Sequence, residues 1–175
     1  MSTFVALNAS FAKTYFINDG EFSPCFGRYE EDIYDGITFS GGNPWFLTTL
    51  AGAEYLYSII PHILNPITNR GFNLSHDFFK AYTVPSDVVT FQQSLSLEKE
   101  REDLACAVAK DADARLNWVK RYRAGLDLSE QFSRFDGRQI GATKLTWSYE
   151  AFLEAVDRRR LLQPWIDGCY EHIYN

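Results

Sequence analysis

Gly42-Asn43-Pro44-Trp45-Phe46-Leu47-Thr48-Thr49-Leu50-Ala51-Gly52-Ala53-Glu54-Tyr55-Leu56-Tyr57-Ser58-Ile59-Ile60-Pro61 carries the start, body and end of one helix. Asn43 has the short polar side chain that caps an N-terminus, and Pro44 suits the first helical position, where a missing N–H costs nothing. Pro61, which cannot donate into the helical ladder, is expected to stop the helix. Upstream, Phe4, Val5, Leu7, Phe11, Tyr15 and Phe16 recur mainly at three- and four-residue intervals, the spacing of an amphipathic helix over residues 3–16 that Asn18-Asp19-Gly20 closes. Between the two helices, residues 20–42 hold five glycines, Pro24 and scattered aromatics, and read as a long irregular loop. Loops of that length in a compact domain are more often functional than idle.

Downstream, Leu74, Phe78, Phe79 and Tyr82 share one face of a short helix, which Pro85-Ser86-Asp87 breaks. Residues 97–123 predict a long helix with Glu98, Glu100, Glu102 and Asp103 in its first turns and Lys120, Arg121 and Arg123 in its last. That charge order complements the helix dipole. Gly125 ends it, a second loop spans 126–141, a further helix covers 143–158, and residues 164–174 suggest a last helical turn. No segment alternates with period two, so no strand is expected and the fold class is all-α.

The chain has 175 residues, 46% of them hydrophobic and 23% charged, which argues for a packed core rather than disorder. Its 16% aromatic content is high, and its net charge of −6 is wrong for gripping a phosphate backbone, so no nucleic-acid partner is expected. No apolar run approaches the ~20 residues of a membrane span, so no membrane partner is expected either. Residues 1–16 lack the basic flank and unbroken apolar run of a signal peptide, and the compartment stays open. Cys25, Cys106 and Cys169, like His62, His76 and His172, show no ligand spacing; neither a metal nor a cofactor is expected, and at least one thiol is unpaired.

Two stretches gather chemistry. Gly27-Arg28-Tyr29-Glu30-Glu31-Asp32-Ile33-Tyr34-Asp35-Gly36 packs a guanidinium, four carboxylates and two phenols into ten residues of loop. A solvated acidic loop is one reading, since charge clusters usually neutralise one another in water. A sugar site is the other, because sugar hydroxyls want bidentate polar partners while the C–H face wants an aromatic platform such as Trp45. The second stretch is Leu128-Ser129-Glu130-Gln131-Phe132, followed by Leu145-Thr146-Trp147-Ser148-Tyr149. Glu130 lies among Leu126, Leu128, Phe132 and Phe135, a setting that raises a carboxyl pKa if it is buried. A local capping role with Ser129 is the plainer reading, as core packing is for Trp147.

Gly27-Arg28-Tyr29-x-Glu31-Asp32-x-Tyr34, Gly42-Asn43-Pro44-Trp45-Phe46-Leu47, Leu128-Ser129-Glu130-Gln131-Phe132 and Leu145-Thr146-Trp147-Ser148-Tyr149 together resemble the ordered motif blocks of fungal and yeast glucoamylases of glycoside hydrolase family 15. The resemblance implies the C-terminal portion of an (α/α)6 barrel, an incomplete toroid, over residues 1–175. It implies an inverting exo-hydrolase that releases β-glucose from α-1,4-glucans of the starch and glycogen type and cleaves α-1,6 links more slowly. By the same resemblance Glu130 is the general base, Arg28 binds glucose hydroxyls, Tyr34 and Trp45 line the sugar site, and Trp147 packs beside the base.

Two positions depart from the family pattern: Glu30 replaces a proline, and Gly141 stands where many members carry a serine near the base. The family's general acid belongs to an N-terminal part that the resemblance does not cover, so the isolated chain is expected to have little activity. Its exposed barrel faces are expected to favour self-association. A non-catalytic carbohydrate-binding or regulatory remnant of the same barrel is the alternative. A generic helical interaction module fits the composition but leaves the ordered motifs unexplained.

Overall fold

The computed structural model describes residues 2–65, 76–82 and 98–171. In chain order it contains α1 (Ser2–Thr14), a 3-10 turn (Phe16–Asn18), α2 (Phe46–Leu64), α3 (His76–Tyr82), α4 (Glu98–Tyr122), two short strands β1 (Gln131–Phe132) and β2 (Gln139–Ile140), α5 (Thr146–Leu161) and α6 (Gln163–Glu171). The Leu74 start of the third helix and the Pro85 break lie outside the described residues.

α2 is the central helix, packing mainly against α4 and α5. It begins at Phe46, with Trp45 at the cap position and Asn43 and Pro44 ahead of it, later than the sequence predicts. Long-range bonds hold those residues extended: Trp45 N–H donates to the Phe26 carbonyl at 2.9 Å, and Phe132 N–H to the Pro44 carbonyl at 3.0 Å. α2 also runs through Pro61 to Leu64. Pro61 is exposed while Ile59, Ile60 and Ile63 around it are buried, so continued apolar burial outweighs the lost backbone bond. The absence of strands is likewise corrected, since β1 and β2 pair antiparallel with Gln131 opposite Ile140 and Phe132 opposite Gln139. The following helix starts at Thr146 rather than 143 and reaches Leu161.

The core is aromatic. Phe4 and Phe11 from α1 meet Phe26 from the loop, Tyr15 just beyond α1 stacks on Phe11, and Phe132 packs among Phe46, Trp118 and Tyr122. Such rings add directional contacts to their buried area. Two charges are buried with them. Arg115, fully enclosed, donates from Nη1 to the Pro24 carbonyl at 2.6 Å and from Nη2 to the Asn8 amide oxygen, and its guanidinium lies 4.3 Å from the Phe26 ring centroid. Its Nε lies 3.1 Å from Asp111 Oδ1, close enough for ionic attraction but off the line of a hydrogen bond. Asp111 Oδ2 accepts from Tyr82 Oη at 2.5 Å. This node ties α1, α3, α4 and the 20–42 loop together.

A disulfide between Cys106 and Cys169 fastens α6 to α4, and Cys25 is the free thiol, buried. A cavity of about 420 Å³ lies beside α4, α5 and α6, lined in part by Asp113, Phe152, Arg159 and Tyr170. Its carboxylate is already engaged, since Asp113 accepts from Arg159 Nε at 2.7 Å, from Tyr170 Oη at 2.8 Å and from Tyr57 Oη. Among the described residues no helix is long and apolar enough to cross a membrane, and no group of acidic, histidine and cysteine side chains could hold a metal.

Candidate active site

The 20–42 loop is fastened at its root by Asn18. Its amide donates to the Phe11 and Cys25 carbonyls at 2.8 and 3.0 Å, and its oxygen accepts from Cys25 N–H at 2.9 Å. Farther along, Arg28 and buried Asp32 form a bidentate pair, with Nε to Oδ2 and Nη2 to Oδ1 both 2.7 Å. Tyr34 N–H also donates to Asp32 Oδ1, at 3.0 Å. The Arg28 guanidinium lies 4.9 Å from the Trp45 ring centroid, 5.4 Å from that of Tyr34 and 5.5 Å from that of Tyr29. Glu30 and Glu31 stay exposed, as in a solvated loop, but buried Asp32 fixes the Arg28 guanidinium plane and three rings lie within 5.5 Å of it.

The hydrogen bonds from Arg28 hold the Asp32 carboxyl below its ordinary range, against the opposing effect of burial. A carboxyl with a depressed folded-state pKa contributes stability above the unfolded value of about 3.9 and loses it as pH falls through the folded value. Wild type and Asp32→Asn should therefore differ in melting temperature by a constant amount from neutral pH to about pH 4, a gap that closes below it. Thermal melts between pH 7 and 2.5 check this, and a gap independent of pH would show that the charge on Asp32 is not what holds the loop.

The second motif reaches the same place through backbone bonds. Trp45 bridges antiparallel to Gln131, Asn43 Nδ2 donates to Gln131 Oε1 at 3.2 Å, and Arg134 N–H donates to Asn43 Oδ1 at 3.1 Å. Arg28, Tyr34, Trp45 and Glu130 are brought to one region, and the Glu130 charge adds to the field that favours protonated Arg28, after the larger effect of Asp32. Glu130 itself is half-buried, while Leu126 and Phe135 point into solvent, so the apolar enclosure expected around it does not form.

The backbone positions Glu130 instead. Its N–H donates to the Ala142 carbonyl at 2.8 Å, and Ala142 N–H approaches Oε2 at 3.4 Å. Gly141, at φ +80°, has its missing Cβ filled by the carboxylate: a Cβ there would lie 2.4 Å from Oε2. Ser129 does not cap Glu130; its hydroxyl donates to the Gln131 carbonyl at 2.6 Å. Ser148 Oγ donates to the Ser129 carbonyl at 2.7 Å, docking the first turn of α5 beside this segment. Trp147 on that turn is 60% exposed, so it is not a core residue.

Three residues outside the predicted set position the others: Asp32, Asn43 and Gln131. Trp45 Nε1 and Gln131 Nε2 are buried donors with no hydrogen-bond partner among the described residues. Such groups cost roughly 1–3 kcal/mol each and call for an explanation beyond packing.

Over residues 1–157 the chain matches the family described as "Glycosyl hydrolases family 15". It is 32% identical over 164 residues to a "Probable glucoamylase" of Schizosaccharomyces pombe, covering 93% of this chain and 34% of that protein. An intracellular, sporulation-specific glucoamylase of Saccharomyces cerevisiae is 31% identical over 148 residues, covering 78% and 27% of the two chains. The fold superposes on the glucoamylase of Saccharomycopsis fibuligera with a TM-score of 0.76 at 26% identity, covering 92% of this chain and 35% of that one. For the Hypocrea jecorina family 15 glucoamylase the TM-score is 0.73 at 32% identity. The chain thus spans between about a fifth and a third of the length of the relatives it matches. Its mostly helical layout is that of the (α/α)6 barrel these neighbours adopt, with the short β1–β2 pair as a local addition. With the motif blocks assembled at one site and the match running through most of its length, the chain belongs to glycosyl hydrolase family 15.

Proposed function

We propose that this chain is the C-terminal part of a glucan 1,4-alpha-glucosidase-type catalytic domain, acting by inverting exo-cleavage of α-1,4 and, more slowly, α-1,6 bonds to release β-glucose. The observation that carries the reading is the joining of two motifs far apart in sequence, Arg28 with Trp45 and Glu130 with Gln131, through the Trp45–Gln131 bridge. Inversion needs one carboxylic acid on the glycosidic oxygen and a second carboxylate, roughly 6.5–9.5 Å away, to activate water on the opposite face. Glu130 is the second of these. Its carboxylate accepts the proton of the attacking water, and the Ala142 N–H and the Gly141 turn hold it in place.

Arg28, its plane fixed by Asp32, keeps Nη1 for sugar hydroxyls, since among the described residues only Nε and Nη2 are engaged. Tyr34 and Trp147 supply ring surface for the C–H faces, while Trp45, buried with the Arg28 guanidinium over its ring, backs the site from within. The general acid comes from the remainder of the family's catalytic domain, so this chain alone binds α-glucan and turns it over slowly if at all. Exposed Phe16, Phe22, Leu153 and Leu161 favour self-association when it is purified alone.

Calorimetry with maltose and an acarbose-type inhibitor, paired with a glucose-release assay, tests the reading. Binding without appreciable release is expected from the isolated chain. Arg28→Lys keeps the charge but loses the planar fork, and should weaken binding about 10-fold or more. Absence of binding, or binding indifferent to Arg28→Lys, would overturn the assignment. A non-catalytic binding remnant would bind equally well, but would stay inactive once the missing part of the barrel is supplied.

A further inference from the structure

Arg134 belongs to neither motif block, yet its side chain sits where the two chemistry-bearing stretches meet. Its Nη1 donates to the Gly42 carbonyl at 3.1 Å and its Nη2 to the Thr14 carbonyl at 2.5 Å. The backbone is engaged as well, since Arg134 N–H donates to Asn43 Oδ1 at 3.1 Å and the Arg134 carbonyl accepts from Ile17 N–H at 2.9 Å. The guanidinium lies 5.3 Å from the Tyr15 ring centroid and 5.8 Å from that of Phe135. One residue thereby joins the end of α1, the end of the 20–42 loop and the segment that carries Glu130.

Both side-chain bonds end on main-chain carbonyls rather than on a carboxylate, and each suits a guanidinium. Thr14 closes α1, and the last carbonyls of a helix carry partial negative charge that a cation satisfies. A planar fork also holds two acceptors in a fixed relation, which the point charge of an ammonium does not.

The two ends of this clamp lead to the candidate site. Gly42 N–H donates to the Asp32 carbonyl at 2.8 Å, an approach so close that a Cβ at Gly42 would lie 2.3 Å from that oxygen. The Asp32 carboxylate in turn grips Arg28, and Gly42 runs directly into Asn43, Pro44 and Trp45. On the other side, Arg134 lies four residues beyond Glu130, across β1. The Trp45–Gln131 bridge fixes the backbones of the two segments, while Arg134 fixes the end of the loop that carries Asp32 and Arg28.

We infer that Arg134 is a positioning residue: by clamping the Thr14 and Gly42 carbonyls it sets where the Asp32–Arg28 pair stands relative to Glu130. It acts on sugar binding through Gly42 and Asp32 rather than through contact with the sugar. This rests on the reading of the Arg28–Trp45–Glu130 region as an α-glucan site.

Calorimetric titration of the full 175-residue chain with maltose, well below the melting transition, tests the inference. The variants are Arg134→Ala, Arg134→Lys and, as a structural control, Arg121→Ala, since Arg121 anchors the root of the same loop through Glu21 at 2.7 Å. Arg134→Ala should melt roughly 3–10 °C lower and bind maltose on the order of 3- to 10-fold more weakly. Arg134→Lys keeps the charge at the end of α1 without the fork, so it should regain most of the melting temperature while its binding stays weak. Arg121→Ala should lower the melting temperature slightly and leave the affinity unchanged. A folded Arg134→Ala or Arg134→Lys that binds as tightly as wild type overturns the inference and leaves the α-glucan reading standing. So does an Arg121→Ala variant that loses as much affinity as Arg134→Ala, because the loss would then be a general loosening of the loop. If Arg134→Ala does not fold, Arg134→Lys decides alone. If wild type binds no maltose, the α-glucan reading falls and the inference with it.

Discussion

Glu130→Gln is expected to lower glucose release by about 10²–10⁴-fold when this chain is assembled with the remaining part of a family 15 catalytic domain. The substitution keeps side-chain volume and leaves Ala142 N–H an oxygen to donate to, so the site keeps its shape. On the proposed reading, what it removes is the basic oxygen that would take a proton from water as the anomeric carbon opens. The loss should therefore fall on kcat with KM changed little, since sugar binding rests on Arg28 and the rings. Steady-state kinetics on maltose, with calorimetry on the same variant, separates the two quantities. Activity within a few-fold of wild type would remove Glu130 from the catalytic role.

Arg115→Ala should have the largest effect on stability. The guanidinium is fully enclosed, and its loss leaves the Asp111 carboxylate, the Pro24 carbonyl and the Asn8 amide oxygen without their partner in the core. Breaking one side of a buried pair costs about 3–5 kcal/mol, a large fraction of the roughly 5–15 kcal/mol that holds a domain together. At roughly 2–4 °C per kcal/mol for a chain of this length, the melting temperature should fall by about 6–20 °C, or the variant should fail to fold. The double variant Asp111→Asn/Arg115→Met removes both charges and should recover part of that loss. A single variant that melts within 2 °C of wild type, a threshold of about 1 kcal/mol, would show that the node is not structural.

The residues of that node look, in the sequence, like the charged face of a surface helix. The charged sequence of α4 gives no sign that Asp111 and Arg115 turn inward, because their partners come from α1, α3 and the 20–42 loop. The helices themselves were legible: three- and four-residue spacing marked α1, and charge order with Gly125 marked α4 to within a residue at each end. Trp45 shows why the sequence places the start of α2 two residues early. Its local signals favour Asn43 and Pro44 as cap and first turn, while bonds to Phe26 and Gln131 hold that stretch extended. β1 and β2 are two residues each, too short to carry any period.

The site divides along the same line. Arg28, Tyr34, Trp45, Glu130 and Trp147 could be named from motif blocks. The support from Asp32, Asn43 and Gln131 depends on which loop meets which, and Asn43 and Gln131 lie 88 residues apart.

The Cys106–Cys169 bond bears on how this protein withstands proteolytic damage. The bond encloses residues 107–168, and that interval contains a turn where Phe135, Asp136 and Arg138 are exposed, together with the whole Glu130 segment. A single cut anywhere inside it yields two pieces that stay covalently joined and migrate as one species until a reductant is added. With Trp45 still bridged to Gln131 and α2 still packed between α4 and α5, a nicked molecule keeps its helices in place, so an opened peptide bond there need not separate Glu130 from Arg28.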